Sequence, residues 1–169
     1  MNFLALAAVL SAVGMYAVAR YVRHAKTLEA ISSVQTIAGG AVSAYNESDG
    51  NQPAAATPEA VRAMRRFPPS SRDPIPKTPL EVRGQKYQSN RSEWSATPWR
   101  ELHFYLAQPQ CYQYAFEADG AGATAKAIVT AHGDLDGDGA RSTFLLAVTP
   151  DSTFTAHAAP QMSRFEPEE

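Results

Sequence analysis

The first nineteen residues, Met1 to Ala19, carry no charge, and Arg20, Arg23, His24 and Lys26 follow at once. Within that stretch Phe3 to Ala19 reads FLALAAVLSAVGMYAVA, apolar apart from Ser11, Gly14 and Tyr16. Phe3, Leu4, Leu6, Val9, Leu10, Val13, Met15, Tyr16 and Val18 are spread round such a helix, so it has no polar face to turn to water. A helix rising 1.5 Å per residue needs about twenty residues to cross a hydrocarbon core of roughly 30 Å. This run sits at the short end of that range and is read as a membrane or assembly helix.

Three readings compete for the segment. Ala17-Val18-Ala19 mimics the small-x-small site of a cleaved secretory signal, but the basic n-region is missing. An uncleaved anchor with its positive cluster after the span would hold the rest of the chain in the cytoplasm. In the third reading a short basic leader precedes this sequence and the apolar helix is the mature N-terminus.

Composition narrows the function classes. With the anchor set aside, one domain of ordinary size remains. A net charge of -2 gives no electrostatic case for nucleic acid. The single cysteine, Cys111, forbids an intramolecular disulfide and is expected as a small buried apolar residue. His24, His103, His132 and His157 lie on separate elements, and only His132 is near other metal-ligating residues. No nucleophile elbow, zinc-binding H-E-x-x-H helix, phosphate loop or C-x-x-C pair occurs, so the expectation is a non-enzymatic protein.

The helical pattern continues past Arg20. Ile31, Val34, Ala38, Ala41, Val42 and Tyr45 recur at spacings of three and four and line one face, with Glu29, Ser32, Ser33, Thr36 and Ser43 opposite. One helix is expected from about residue 3 to 46, stopped by Asn46, Asp49 and Gly50. Gly39-Gly40 inside it costs about 1 kcal/mol per glycine relative to alanine, which close packing against a sheet or a local bend would explain.

From Asn51 to Pro79 the chain holds seven of its twelve prolines, and regular structure is largely excluded. Thr57-Pro58-Glu59 is the exception, an N-cap, first-turn proline and acidic residue opening a short helix. Arg62, Arg65, Arg66, Arg72 and Lys77 make the stretch basic, either as solvated charges or as a contact for an acidic neighbour or anionic lipid.

From Leu102 the pattern is β. LHFYL (102–106), CYQYAF (111–116), AKAIVTA (125–131) and TFLLAV (143–148) are short runs bounded by turn residues, and a further strand near 153–157 is expected. Tyr112, Tyr114 and Phe116 alternate onto one face. The fold class is therefore α+β, a long N-terminal helix packed on a four- to five-stranded antiparallel sheet. Its segments are a membrane or filament-core helix (1–26), the amphipathic half of that helix (27–50), a proline-rich basic loop (51–84), a sheet head (85–160) and an acidic tail (161–169), frayed from Phe165 to Glu169.

Asp134, Asp136 and Asp138, followed by Gly139, match the first six positions of an EF-hand loop. Three converging carboxylates repel one another unless a hard cation such as calcium sits between them. The twelfth position is Leu145, where a bidentate Glu belongs, and the flanks are strands, so the segment is no EF-hand. Two readings stay open: a calcium site, or a hairpin turn whose Asp and Gly residues supply positive backbone angles.

The order of motifs resembles the type IV pilins and pilin-like proteins of Gram-negative bacteria. The resemblance is carried by the apolar helix leading into YVRHAKTLEAISSVQTIAGGAVSAYN, by Lys86-Tyr87-Gln88-Ser89, Trp94 and Trp99, by Pro109-Gln110 and Tyr112-Gln113-Tyr114, and by AHGDLDGDGARSTF. It implies a precursor cut by an inner-membrane peptidase, a methylated mature N-terminus, an inner-membrane location with a periplasmic head, and assembly with other pilin-like subunits. The proline-rich insert has no counterpart in this reading. Pilins usually carry glutamate at the fifth mature position, where Ala5 stands here. Minor pilins, pseudopilins and non-polymerising relatives can lack that glutamate. The alternative is a monomeric membrane-anchored module that binds calcium or a partner.

Overall fold

The computed structural model describes residues 2–48 and 57–167, with the backbone alone for 2–17 and 19. Helix α1 (Asn2–Asn46) leads into a proline-rich connection carrying a short helix, α2 (Pro58–Ala63). The strands are β1 (Gln113–Asp119), β2 (Lys126–Gly133), β3 (Ser142–Pro150), β4 (Ala156–Ala158) and β5 (Ser163–Phe165). Strands β1 to β4 form an antiparallel meander, and β5 pairs with the first part of β3, Thr143↔Phe165 to Leu145↔Ser163.

The α+β class expected from the sequence is the one observed, with five strands. Register explains the core. Phe116 pairs with Val129, Val129 with Leu146, and the side chains on that face are buried. Ala127, Ala131, Phe144 and Val148 join them, so alternation with a period of two assembles one apolar face. Against it lies α1, which buries Ala30, Val34, Ile37, Ala38, Ala41 and Tyr45, while Ile31 and Val42 pack at the margin. Full burial of one Val or Ile side chain is worth about 1.5–3 kcal/mol, so this face fastens the helix. At its end the Tyr45 hydroxyl donates to the Gly122 carbonyl at 2.8 Å, and Asn46 accepts from the Ala156 amide at 2.9 Å.

Four details differ from the sequence reading. Leu102 to Leu106 is not a strand. Its backbone bonds close locally, Leu102 N to Pro98 O at 2.9 Å and Phe104 N to Trp99 O at 3.0 Å, and leave no ladder to pair. The apolar residues of loop 89–106 are instead a plug, Trp94, Trp99, Leu102 and Phe104, set into the core. Gly40 accordingly approaches that loop rather than the sheet: a Cβ there would run into the Leu102 carbonyl, whereas one at Gly39 would meet nothing within 4 Å. Ser33 and Glu29, placed on the polar face by periodicity, turn inward, Ser33 buried and Glu29 half-buried. Part of the acidic tail forms β5, and the Pro167 carbonyl accepts from the Thr27 hydroxyl at 2.7 Å.

The proline-rich connection covers the sheet edge. Ser71 N donates to Phe116 O at 2.8 Å, and Ile75 and Tyr114 exchange backbone bonds at 2.9 and 2.8 Å. Ser70 Oγ accepts from the Ala118 amide at 2.9 Å. Strand β1 thus presents few free groups to another chain. Thr57 caps α2 by accepting from the Ala60 amide at 3.3 Å, as its sequence predicts.

Among the described residues no helix is long and apolar enough to cross a membrane. The side chains of Phe3, Leu4, Leu6, Val9, Leu10, Val13, Met15 and Tyr16, assigned to a membrane helix from sequence, lie outside the described residues. Val18, at the edge of that group, is 62% exposed.

Candidate functional site

The β2–β3 hairpin ends in the loop that carries the three aspartates. Its backbone turns twice through positive φ, at Gly137 (85°) and Gly139 (103°), conformations for which glycine is suited. Asp134, the buried member, closes the turn: Oδ1 accepts from Gly137 N at 2.7 Å and Oδ2 from Gly139 N at 3.0 Å. Asp136 and Asp138 are exposed and accept from the amides two residues on, at 3.3 Å from Asp138 N and 2.7 Å from Ala140 N.

Two guanidiniums reach this loop from distant parts of the chain. Arg23 of α1 donates to Asp136 Oδ2 at 3.1 Å. Arg83 donates to the Gly137 carbonyl at 3.0 Å, and its Nε stands 3.4 Å from Asp134 Oδ2. Lys26 adds a bond to the Leu135 carbonyl at 3.4 Å, and Gly84 N donates to Asp134 O at 2.7 Å. The loop is therefore tied to the helix on one side and to the 78–84 turn on the other. Sequence spacing held no signal for Arg23 or Arg83, because both meet the loop through tertiary folding alone.

The structure brings Asp134, Asp136 and Asp138 together. One ligand oxygen from each lies within 4.8 Å of the others. All are hard oxygen donors of the kind calcium prefers. Both oxygens of Asp134 already accept turn amides, so an ion would draw chiefly on Asp136, Asp138 and water, and would compete with Arg23 for Asp136. His132 is not part of this group. Its Nδ1 lies 2.8 Å from the Thr143 hydroxyl on the paired strand, and burial, then Arg141, holds its pKa below the usual value.

A second polar junction joins α1 to the sheet. Glu29 Oε1 accepts from the Cys111 amide at 2.9 Å and from the Tyr114 hydroxyl at 3.2 Å. Burial raises the Glu29 pKa, only partly offset by these bonds. Cys111 is buried, as its sequence context predicts, and burial beside Glu29 pushes its thiol up to about 11, which removes the thiolate at neutral pH.

The helix-packing residues fall where periodicity places them: Val34, Ala38 and Tyr45 fully buried, Ile31 and Val42 partly. Before them α1 presents an uncovered apolar surface, with Tyr21 75% and Leu28 55% exposed beside Val18 and Val22. No protein-family model, curated protein or solved structure matches the chain.

Proposed function

We propose that the chain is a structural, non-enzymatic pilin-like subunit of a type IV pilus or related cell-envelope machinery. Its N-terminal helix inserts in the inner membrane, and its head lies in the periplasm or in an extracellular filament. The observation that carries this reading is the division of α1. Its second half is locked into the head by Ala30, Val34, Ile37, Ala38, Ala41 and Tyr45, while Val18, at the end of the uncharged run, and Tyr21, Val22 and Leu28 after it stay uncovered. Such a helix fixes a head at one end and offers an apolar surface to lipid or to neighbouring helices at the other.

The test is a cysteine at the uncovered face. Tyr21→Cys, oxidised in the native membrane, is expected to give disulfide-linked oligomers, and sheared surface fractions should contain the chain. The buried Cys111 does not compete in that reaction. Linkage no greater than that of an exposed head residue such as Ser152→Cys contradicts assembly through the helix.

A second reading, a monomeric membrane-anchored module that binds calcium, is favoured by the convergence of Asp134, Asp136 and Asp138. Ligand binding stabilises by RT ln(1 + [L]/Kd), so calcium at a hundred times its Kd adds about 2.7 kcal/mol. A monomer that gains this stability from calcium, and loses the gain in Asp136→Asn, supports the module.

A further inference from the structure

Loop 89–106 forms an open surface cavity of about 350 Å³ with a composition that neither reading above uses. Its floor is aromatic. Trp94 meets Trp99 edge-on at 5.0 Å and Phe104 at 5.3 Å, and all three are buried, so the floor is held by the core. At the rim stand Arg91, Arg100 and His103, all exposed.

The rim cations differ from those at the acidic loop. Arg23 and Arg83 each stand beside a carboxylate, whereas among the described residues neither Arg91 nor Arg100 does. The guanidinium carbon of Arg91 lies 5.1 Å from the centroid of the Tyr105 ring, a stacking contact that leaves in-plane N–H groups able to donate. Of the nearby acids, Glu93 accepts from Tyr87 and from the Asn90 amide, Glu101 accepts from the Thr97 hydroxyl at 2.8 Å, and Glu47 lines the neighbouring depression with Arg100 without coming within ion-pair distance of it. The φ of 52° at His103 is the left-handed cap of the 98–102 turn, closed by Phe104 N to Trp99 O at 3.0 Å and His103 N to Arg100 O at 3.2 Å, and it sets the imidazole at the rim.

We propose that this cavity binds a small ring compound bearing a carboxylate. The carboxylate pairs with the Arg91 or Arg100 guanidinium, whose planar fork matches its two oxygens, and the ring lies over the Trp94, Trp99 and Phe104 floor. An acidic sugar and an aryl acid share this chemistry. The assignment holds whether or not the chain assembles as a pilin.

The chain's two tryptophans, Trp94 and Trp99, both line the cavity, so their emission reports its occupancy. The full-length protein in neutral detergent is titrated with sodium glucuronate and with sodium benzoate, and with glucose and benzyl alcohol as uncharged counterparts. At least one acid is expected to change the emission saturably while its counterpart does not; glucuronate identifies an acidic sugar, benzoate an aryl acid. The double substitution R91Q/R100Q is expected to weaken that binding at least tenfold without moving the unfolding midpoint. The single substitutions R91Q and R100Q are measured beside it, and at least one must weaken binding. Saturation by neither acid, equal binding of the uncharged counterpart, or unchanged binding in every variant overturns the assignment.

Discussion

Adjacent glycines in α1 do opposite work. Gly39 faces open space, so Gly39→Ala removes only the helix penalty of glycine and is expected to stabilise by about 1 kcal/mol. Gly40→Ala places a methyl group against the Leu102 backbone, which cannot swing aside as a side chain can, and is expected to destabilise by about 1–3 kcal/mol. Denaturant midpoints of the two variants separate these effects; equal shifts would remove the close approach from the account. Glu29 gives a prediction in pH. Burial raises its pKa above 4.5 in the folded chain. Its contribution is therefore fully present below the ordinary Glu value and is lost as pH rises through the folded value. Glu29→Gln keeps an acceptor oxygen but has no charge to desolvate. The difference in thermal midpoint between this variant and the natural chain should move in favour of the variant as pH rises from 4.5. A difference independent of pH contradicts a raised pKa.

Among elements, the β2–β3 hairpin carries the loop that ties the start of the packed part of α1 to the 78–84 turn. Asp134→Ala leaves the Gly137 and Gly139 amides without their acceptor and removes the buried carboxylate facing Arg83. Losing a buried charged acceptor from two part-buried donors costs about 2–4 kcal/mol in all. Asp138→Ala, at an exposed position with one local bond, is expected to cost below about 1 kcal/mol. Chemical denaturation of both variants tests the ranking, and equal losses would contradict a structural role centred on Asp134. The first three strands were legible in the sequence because Tyr114, Phe116, Val129, Phe144 and Leu146 alternate on a half-buried sheet. Leu102 to Leu106 was misread as a strand because LHFYL has strand-like composition, while its burial comes from the aromatic plug of loop 89–106, which has no period. The aspartates were legible as a cluster from their spacing. Arg23 and Arg83 were not, since contacts across 113 and 54 residues leave no local pattern. The edge-covering role of 70–76 was hidden for the same reason.

For the whole molecule, the account turns on the division of α1, whose second half is locked to the sheet while Val18, Tyr21, Val22 and Leu28 before it are uncovered, the surface proposed to meet lipid or neighbouring helices. Truncating the locked face should unfold the head: Ile37→Ala, at a fully buried position, is expected to cost about 2–5 kcal/mol. Changes on the uncovered face, such as Tyr21→Ser, should leave head stability within about 0.5 kcal/mol and act on membrane association or assembly alone. The pilin-like claim is tested most directly by intact mass and N-terminal sequencing of the protein recovered from its native membrane. The account predicts a processed, N-methylated terminus at or close to Met1 with the apolar segment retained. An unmodified or formylated initiator methionine, or a chain beginning beyond Ala19, would contradict it.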